Sequence, residues 1–208
     1  MSLTFWEYMV PKIDAPTVAE HRANVQARLV DAAEAILRAG PSQTLTAGAV
    51  SAAAGIARNS IYRYVDSVDD LRALVVDRYL PDWLDAVSSA MATAATPEQR
   101  VTAWVAANLE QAAETGHGWL MGATRAMSPN SRIDEAVVGA HADMWNALTS
   151  AWQSLLGADP DRVAIAVALT VGILDACFRQ LDADQPVDLV LAMGIDTARA
   201  LTTALRTT

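Results

Sequence analysis

The stretch LTAGAVSAAAGIARNSIYRYVDSVDDLRALV, residues 45–75, decides the fold. Thr46 is placed to cap a short helix running to Ala53, and Gly55 supplies the positive φ that a sharp turn requires. A second short helix follows from Ala57 to about Tyr64. Val50, Ala54 and Ile61 are the apolar contacts that let two short helices cross. Ser67, with Asp70 three residues on, is a capping-box-like start for a longer helix. That helix carries Leu71, Leu74, Val75, Val76, Tyr79, Leu80 and Trp83 toward the Ser88–Ala95 region, and Pro81 inside it must kink or restart it.

Upstream, RLVDAAEAILRAG (residues 28–40) belongs to a helix beginning at Arg22. Val25, Leu29, Ala32, Ala33, Ile36 and Leu37 recur at three- and four-residue steps, and Gly40-Pro41 stops the pattern. Helices of about 18, 8 and 8 residues with a glycine turn before the last are the layout of a helix-turn-helix unit. The exposed face of the third offers Arg58, Asn59, Ser60, Tyr62, Arg63 and Tyr64. Arg and Asn make bidentate contacts to base edges, while Ser, Tyr and Arg hydrogen-bond phosphate.

These residues resemble the DNA-binding domain of the tetracycline-repressor-type (TetR) regulators over Arg28 to Val75. The resemblance rests on the A-A-G-I turn, the I-Y-R-Y-V end of the recognition helix and S-x-x-D-L opening the next one. It implies base or phosphate contacts from Thr46 and Ala47 at the start of the second helix. On the third it implies contacts from Arg58, Asn59, Ser60, Tyr62, Arg63 and Tyr64. Two positions depart from the pattern: Val68 stands where the family often has a phosphate-touching Lys, and Gly48 where some members read a base. Ala57 is a poor N-cap, which costs the recognition helix about 1 kcal/mol relative to Ser. The resemblance further implies a ligand pocket among the middle helices and a dimer surface on the last two.

The charge distribution agrees with that division. The 208 residues carry 15 basic and 24 acidic groups, a net of −9, which taken globally argues against a polyanionic partner. Residues 22–65, however, hold five Arg and two acids, a net of +3, whereas residues 66–208 hold nine basic and nineteen acidic groups, a net of −10. A polyanion is attracted to the first segment and repelled by the rest.

Alanine, the strongest helix former, occupies 42 positions, and aromatic residues make up 6%, so the fold class is all-α. Nine helices are expected: an N-terminal helix-turn-helix domain over 21–66, then a helical ligand-binding and dimerisation domain over 67–208. Residues 1–20, with two prolines and the cluster Phe5, Trp6 and Tyr8, read as an irregular arm. Thr96-Pro97 with Gln99 opens a helix to about Thr115. Gly116 and Gly118 break it, and a short segment covers Trp119 to Met127. Ser131 with Asp134 starts a helix to Leu156, Asp159-Pro160 one to about Gln180, and Pro186 one to about Arg206. Cys177 stands alone, the three histidines fit no metal-ligand spacing, and the apolar run Val163–Leu174 is too short to span a bilayer. No secretory signal is supported, so the expected setting is cytoplasmic, with no membrane partner and no cofactor.

The expected ligand-binding residues are Trp104, Asn108, His117, Trp119, Met121, Arg125, His141, Trp145 and Asp175. They are isolated polar groups among Trp and Met on otherwise apolar helix faces, which suits a small lipophilic or aromatic effector. The dimer surface is expected from Ala164, Ala168, Gly172 and Ala176, a small-residue row along a helix apolar nearly all round, joined by Met193 and Leu201. The function expected is a ligand-responsive homodimeric repressor of double-stranded operator DNA. The competing reading is an all-helical small-molecule-binding protein without sequence-specific DNA binding. No nucleophile elbow, phosphate loop, HExxH or dinucleotide fingerprint is present, so an enzyme is not expected.

Overall fold

A computed structural model describes residues 17–40, 44–125, 133–157 and 159–206. Among them are nine α-helices: α1 (Val18–Arg38), α2 (Ala47–Ala53), α3 (Val68–Val76), α4 (Leu80–Thr93), α5 (Pro97–Thr115), α6 (His117–Arg125), α7 (Ile133–Leu156), α8 (Pro160–Leu181) and α9 (Val187–Arg206). One 3-10 helix, Arg58–Arg63, stands between α2 and α3. Residues 1–16 of the expected arm, Pro41, Met127 and Ser131 lie outside the described residues.

Side-chain caps fix several helix starts. Thr17 and Glu20 close a capping box on α1, so that helix begins at Val18 and takes in three residues assigned above to the arm. The signal was legible in Thr-x-x-Glu. Ser67 with Asp70 and Thr96 with Gln99 close the same box on α3 and α5. On α8 the Asp159 carboxylate accepts from the amides of Asp161 and Arg162.

The recognition segment and α6 differ from expectation. The recognition segment is a 3-10 helix: Ser60 N–H donates to the Ala57 carbonyl and Tyr64 N–H to that of Ile61, both at i−3. It is short, and Ala57 offers no side-chain cap, so the tighter turn satisfies the terminal amides instead. The pattern from Ser67 toward Ala95 restarts at Pro81, one of the two outcomes expected there. Pro81 has no N–H and its ring cannot pass the carbonyl of Asp77, so α3 ends and α4 restarts with Pro81 in its first turn. Helix α6 begins at His117, with Gly118 inside it rather than ahead of it.

The core forms two clusters. One, in the N-terminal head, packs Val25, Leu29, Ala33 and Ile36 of α1 on Val50, Ala54, Ile61, Leu71 and Val75. The other centres on α5, whose Val101, Trp104, Val105, Ala107, Asn108, Leu109 and Ala112 are all buried against α4, α7, α8 and α9. Leu37, Tyr79 and Trp119 pack against both. The buried indoles of this body are hydrogen-bonded: Trp83 donates to Asn108 Oδ1 at 2.9 Å, Trp104 to the Met144 carbonyl at 3.1 Å, and Trp152 to Thr170 Oγ1 at 3.0 Å.

Only one side of α8 is buried within the chain, through Val163, Ala166, Thr170, Leu174 and Phe178. The row Ala164, Ala168, Gly172 and Ala176 is exposed. The small-residue stripe that admits close packing inside the chain lies instead on α9, at Val190, Gly194, Ala198 and Thr202. A Cβ on Gly194 would stand 2.7 Å from Leu109 Cδ1 and 2.8 Å from Cys177 Sγ. Met193 is 62% exposed, whereas Leu201 is half-buried, packed against the chain's own core.

Candidate functional site

The turn of the head is held from below. Gly55 adopts φ +67°, and the guanidinium of Arg28 on α1 donates to the Ala54 carbonyl beside it. Ile61 is fully buried among Val50, Leu71 and their neighbours. In a 3-10 helix residues three apart eclipse, so Arg58 and Tyr64 lie one turn either side of buried Ile61, and the Asn59–Tyr62 and Ser60–Arg63 pairs lie on the other two sides. Arg58, Asn59, Tyr62 and Arg63 are exposed, Tyr62 by 59%, and Ser60 and Tyr64 are half-buried. Arg22 of α1 lies over the Tyr64 ring, 5.8 Å from its centroid. Arg58 and Arg63 form no ion pair among the described residues.

At the start of α2, exposed Thr46 accepts from the Ala49 amide, and Gly48 lies beside the Arg58 guanidinium. The Ala47 methyl is buried in the head's core and is not presented on the surface. The five head arginines also divide: Arg28 supports the turn, and Arg38 is taken up by Glu34, Tyr79 and Trp119. Arg22, Arg58 and Arg63 remain on the surface of the unit.

The body contains a cavity of about 260 Å³. Trp104, Asn108, His117, Met121, Trp145 and Asp175 line it, together with Val76, Leu80, Trp83, Leu120, Met144, Val171, Leu174 and Phe178. His117 stacks on Phe178 with ring centroids 3.8 Å apart, and its Nδ1 lies 3.5 Å from Asp182 Oδ2. Asn108 is buried, accepting from Trp83 and donating to the Trp104 carbonyl at 2.8 Å. Trp119 does not line the cavity. Its Nε1 donates to the Thr115 carbonyl, its ring meets Tyr79 edge-on at 5.5 Å, and Arg38 covers it at 4.3 Å. The spacing of α6 explains the miss, since Leu120 and Met121 face the cavity and the residue before them faces α1. The side chains of Arg125 and His141 lie outside the described ones.

That junction went unread in the sequence. Arg38 bonds Glu34, the Tyr79 hydroxyl and the Thr115 carbonyl, while Arg78 reaches Asp31 at 2.7 Å and Glu34 at 3.1 Å. Burial opposes ionisation of Glu34, but hydrogen bonds from Tyr79, Arg38 and Arg78 hold its carboxyl below the ordinary value. Burial raises the Cys177 thiol. Among the described residues no group of three or more His, Cys, Asp or Glu could hold a metal, and no helix is long and apolar enough to cross a membrane.

A helix-turn-helix head carried on an α5-centred helical body is the architecture of the TetR-type regulators, and this chain has that fold. A TetR-family transcriptional regulator from Streptomyces coelicolor superposes with a TM-score of 0.69 at 16% identity, covering 90% of this chain and 95% of that one. A TetR-family regulator from Bordetella parapertussis 12822 gives 0.64 at 17%, covering 86% and 93%. A protein named superantigen pfit gives 0.58 at 17%, covering 82% and 86%, so the fold alone does not assign an activity. No protein-family model matches the sequence, and no curated protein does.

Proposed function

We propose that this chain is a transcriptional regulator that binds a roughly palindromic operator as a homodimer and releases it when a small lipophilic or aromatic molecule enters the body. The observation that carries the reading is the exposed set Arg58, Asn59, Tyr62 and Arg63, mounted on a turn made rigid by Ile61, Gly55 and Arg28. Each head, residues 21–66 continued by α3, would enter a major groove, with centres about 34 Å apart or a multiple of that. The acidic body, residues 67–208, keeps non-specific affinity low, so binding depends on two heads engaging together.

The dimer face we assign is the outer side of α8 and α9. Ile165, Leu169, Leu189 and Met193 are exposed there beside the row Ala164, Ala168, Gly172 and Ala176. An apolar face of this kind is stabilised by a second copy related by a two-fold axis. Ligand in the cavity favours a dimer with another spacing of heads, and by linkage operator DNA weakens ligand binding by the same factor. We place this regulator in the cytoplasm.

The test is a gel shift against DNA flanking the gene at several salt concentrations. Arg58→Ala should lose about 1–3 kcal/mol of operator affinity and Tyr62→Phe less, with binding that weakens steeply as salt rises. Unchanged affinity in both variants would sink the assignment of the 3-10 helix as reader. Leu169→Arg with Met193→Arg should give a monomer in sedimentation and lose the operator. The second reading, a ligand-binding protein without sequence-specific DNA binding, is favoured by buried Ala47 and bare Gly48, which reduce what α2 can read. A folded dimer that binds no palindrome would establish it.

A further inference from the structure

The cavity has a charge pattern that narrows its ligand beyond lipophilic or aromatic. α8 presents Val171, Leu174, Asp175 and Phe178 to it, the i, i+3, i+4, i+7 stripe of one helix face. Three of these are apolar, and Asp175 stands where another apolar side chain would complete the wall.

The other polar groups of the wall are committed to the protein's own frame. The Asn108 amide is engaged by Trp83 and by the Trp104 carbonyl, the Trp104 N–H by the Met144 carbonyl, and His117 by Phe178 and Asp182. Asp175 has no hydrogen-bond or ion-pair partner among the described residues, and it is exposed, as is Trp145. Both therefore stand at the mouth. Trp145 forms a wedge with buried Trp104, their ring centroids 6.5 Å apart at 51°, and Trp83 and Phe178 complete the aromatic lining. Tryptophan faces attract cations more strongly than any other side-chain ring. The surrounding segment, residues 66–208, carries a net −10, which raises the local concentration of cations.

We propose that the cavity binds an organic cation, an amine or quaternary ammonium attached to an aromatic body, with Asp175 as counter-ion and the tryptophans around the charged head. The proposal rests on the reading of this cavity as the effector site. His117 is the group that an anionic ligand would need instead, and its Nδ1 already faces the Asp182 carboxylate at 3.5 Å.

The experiment follows tryptophan fluorescence of the full chain, without DNA, during titration with three probes of one shape. These are benzyltrimethylammonium, its uncharged carbon isostere neopentylbenzene, and 3-phenylpropanoate. The cation should bind at least about tenfold tighter than the isostere, and Asp175→Asn should abolish that preference. Equal or tighter binding of the isostere, tightest binding of the carboxylate, or binding of none of the three to the folded protein would overturn the proposal. An unchanged preference in Asp175→Asn would do the same. Operator binding is measured separately, so a protein that takes the cation but no DNA defeats the regulator reading and leaves this one standing.

Discussion

The guanidinium of Arg38 lies 4.3 Å from the centroid of the Trp119 ring, and this contact joins the last turn of α1 to the first turn of α6. It is reinforced by the Tyr79 hydroxyl, which donates to Glu34 and accepts from Arg38. Trp119→Ala removes a half-buried ring and its cation contact together. We expect a loss of about 2–3 kcal/mol in urea denaturation, with Arg38→Ala losing about 1 kcal/mol. Equal, negligible effects would mean that head and body do not stabilise one another through this contact.

Gly194 is a second point of close approach. Its neighbours Leu109, fully buried, and Cys177 leave no room for a methyl group. Gly194→Ala must displace the Leu109 and Cys177 side chains, and a destabilisation of about 1–3 kcal/mol is expected in chemical denaturation. On helix propensity alone the same change would stabilise by up to about 1 kcal/mol, so the sign of the measurement decides.

The Trp152–Thr170 hydrogen bond is buried at both ends. Thr170→Val preserves shape but leaves the indole N–H without an acceptor, an effect of about 1–3 kcal/mol. Adding Trp152→Phe, which removes the donor, should add less than it does in the wild-type background, as a double-mutant cycle would reveal.

Glu34 gives the junction a pH dependence. Its carboxyl is held below the ordinary value of 4.5, so the stability it contributes is fully present above that value. It is lost as pH falls from there through the lower folded-state value. Thermal midpoints of the wild type should therefore drop more steeply than those of Glu34→Gln below about pH 5. Parallel curves would remove Glu34 from the account.

Much of the fold was legible because it is written locally. A cap such as Thr96 with Gln99 acts within one turn, and Gly55 sets its own φ whatever surrounds it. Of the six residues read as the exposed face of the recognition segment, Arg58, Asn59, Tyr62 and Arg63 are exposed, while Ser60 and Tyr64 are half-buried, a distinction set by how the segment seats Ile61 in the core. The cavity residues were legible as polar or aromatic interruptions of apolar stripes, but not their commitments: Asn108 reads as a ligand group until Trp83 is seen to use it.

The sequence by itself determined most of the helix caps, where the chain turns and which segment carries the positive charge, because caps, glycines, prolines and charges act over a few residues. Only the tertiary structure decided that Trp119 belongs to the junction rather than the cavity, that Ala47 is buried and that Leu201 packs against the chain's own core. It also decided that the small-residue row of α9, and not that of α8, carries the close packing inside the chain. Those outcomes depend on which helix lies opposite, and the face a helix buries is set by its partners across the core, tens of residues away in sequence.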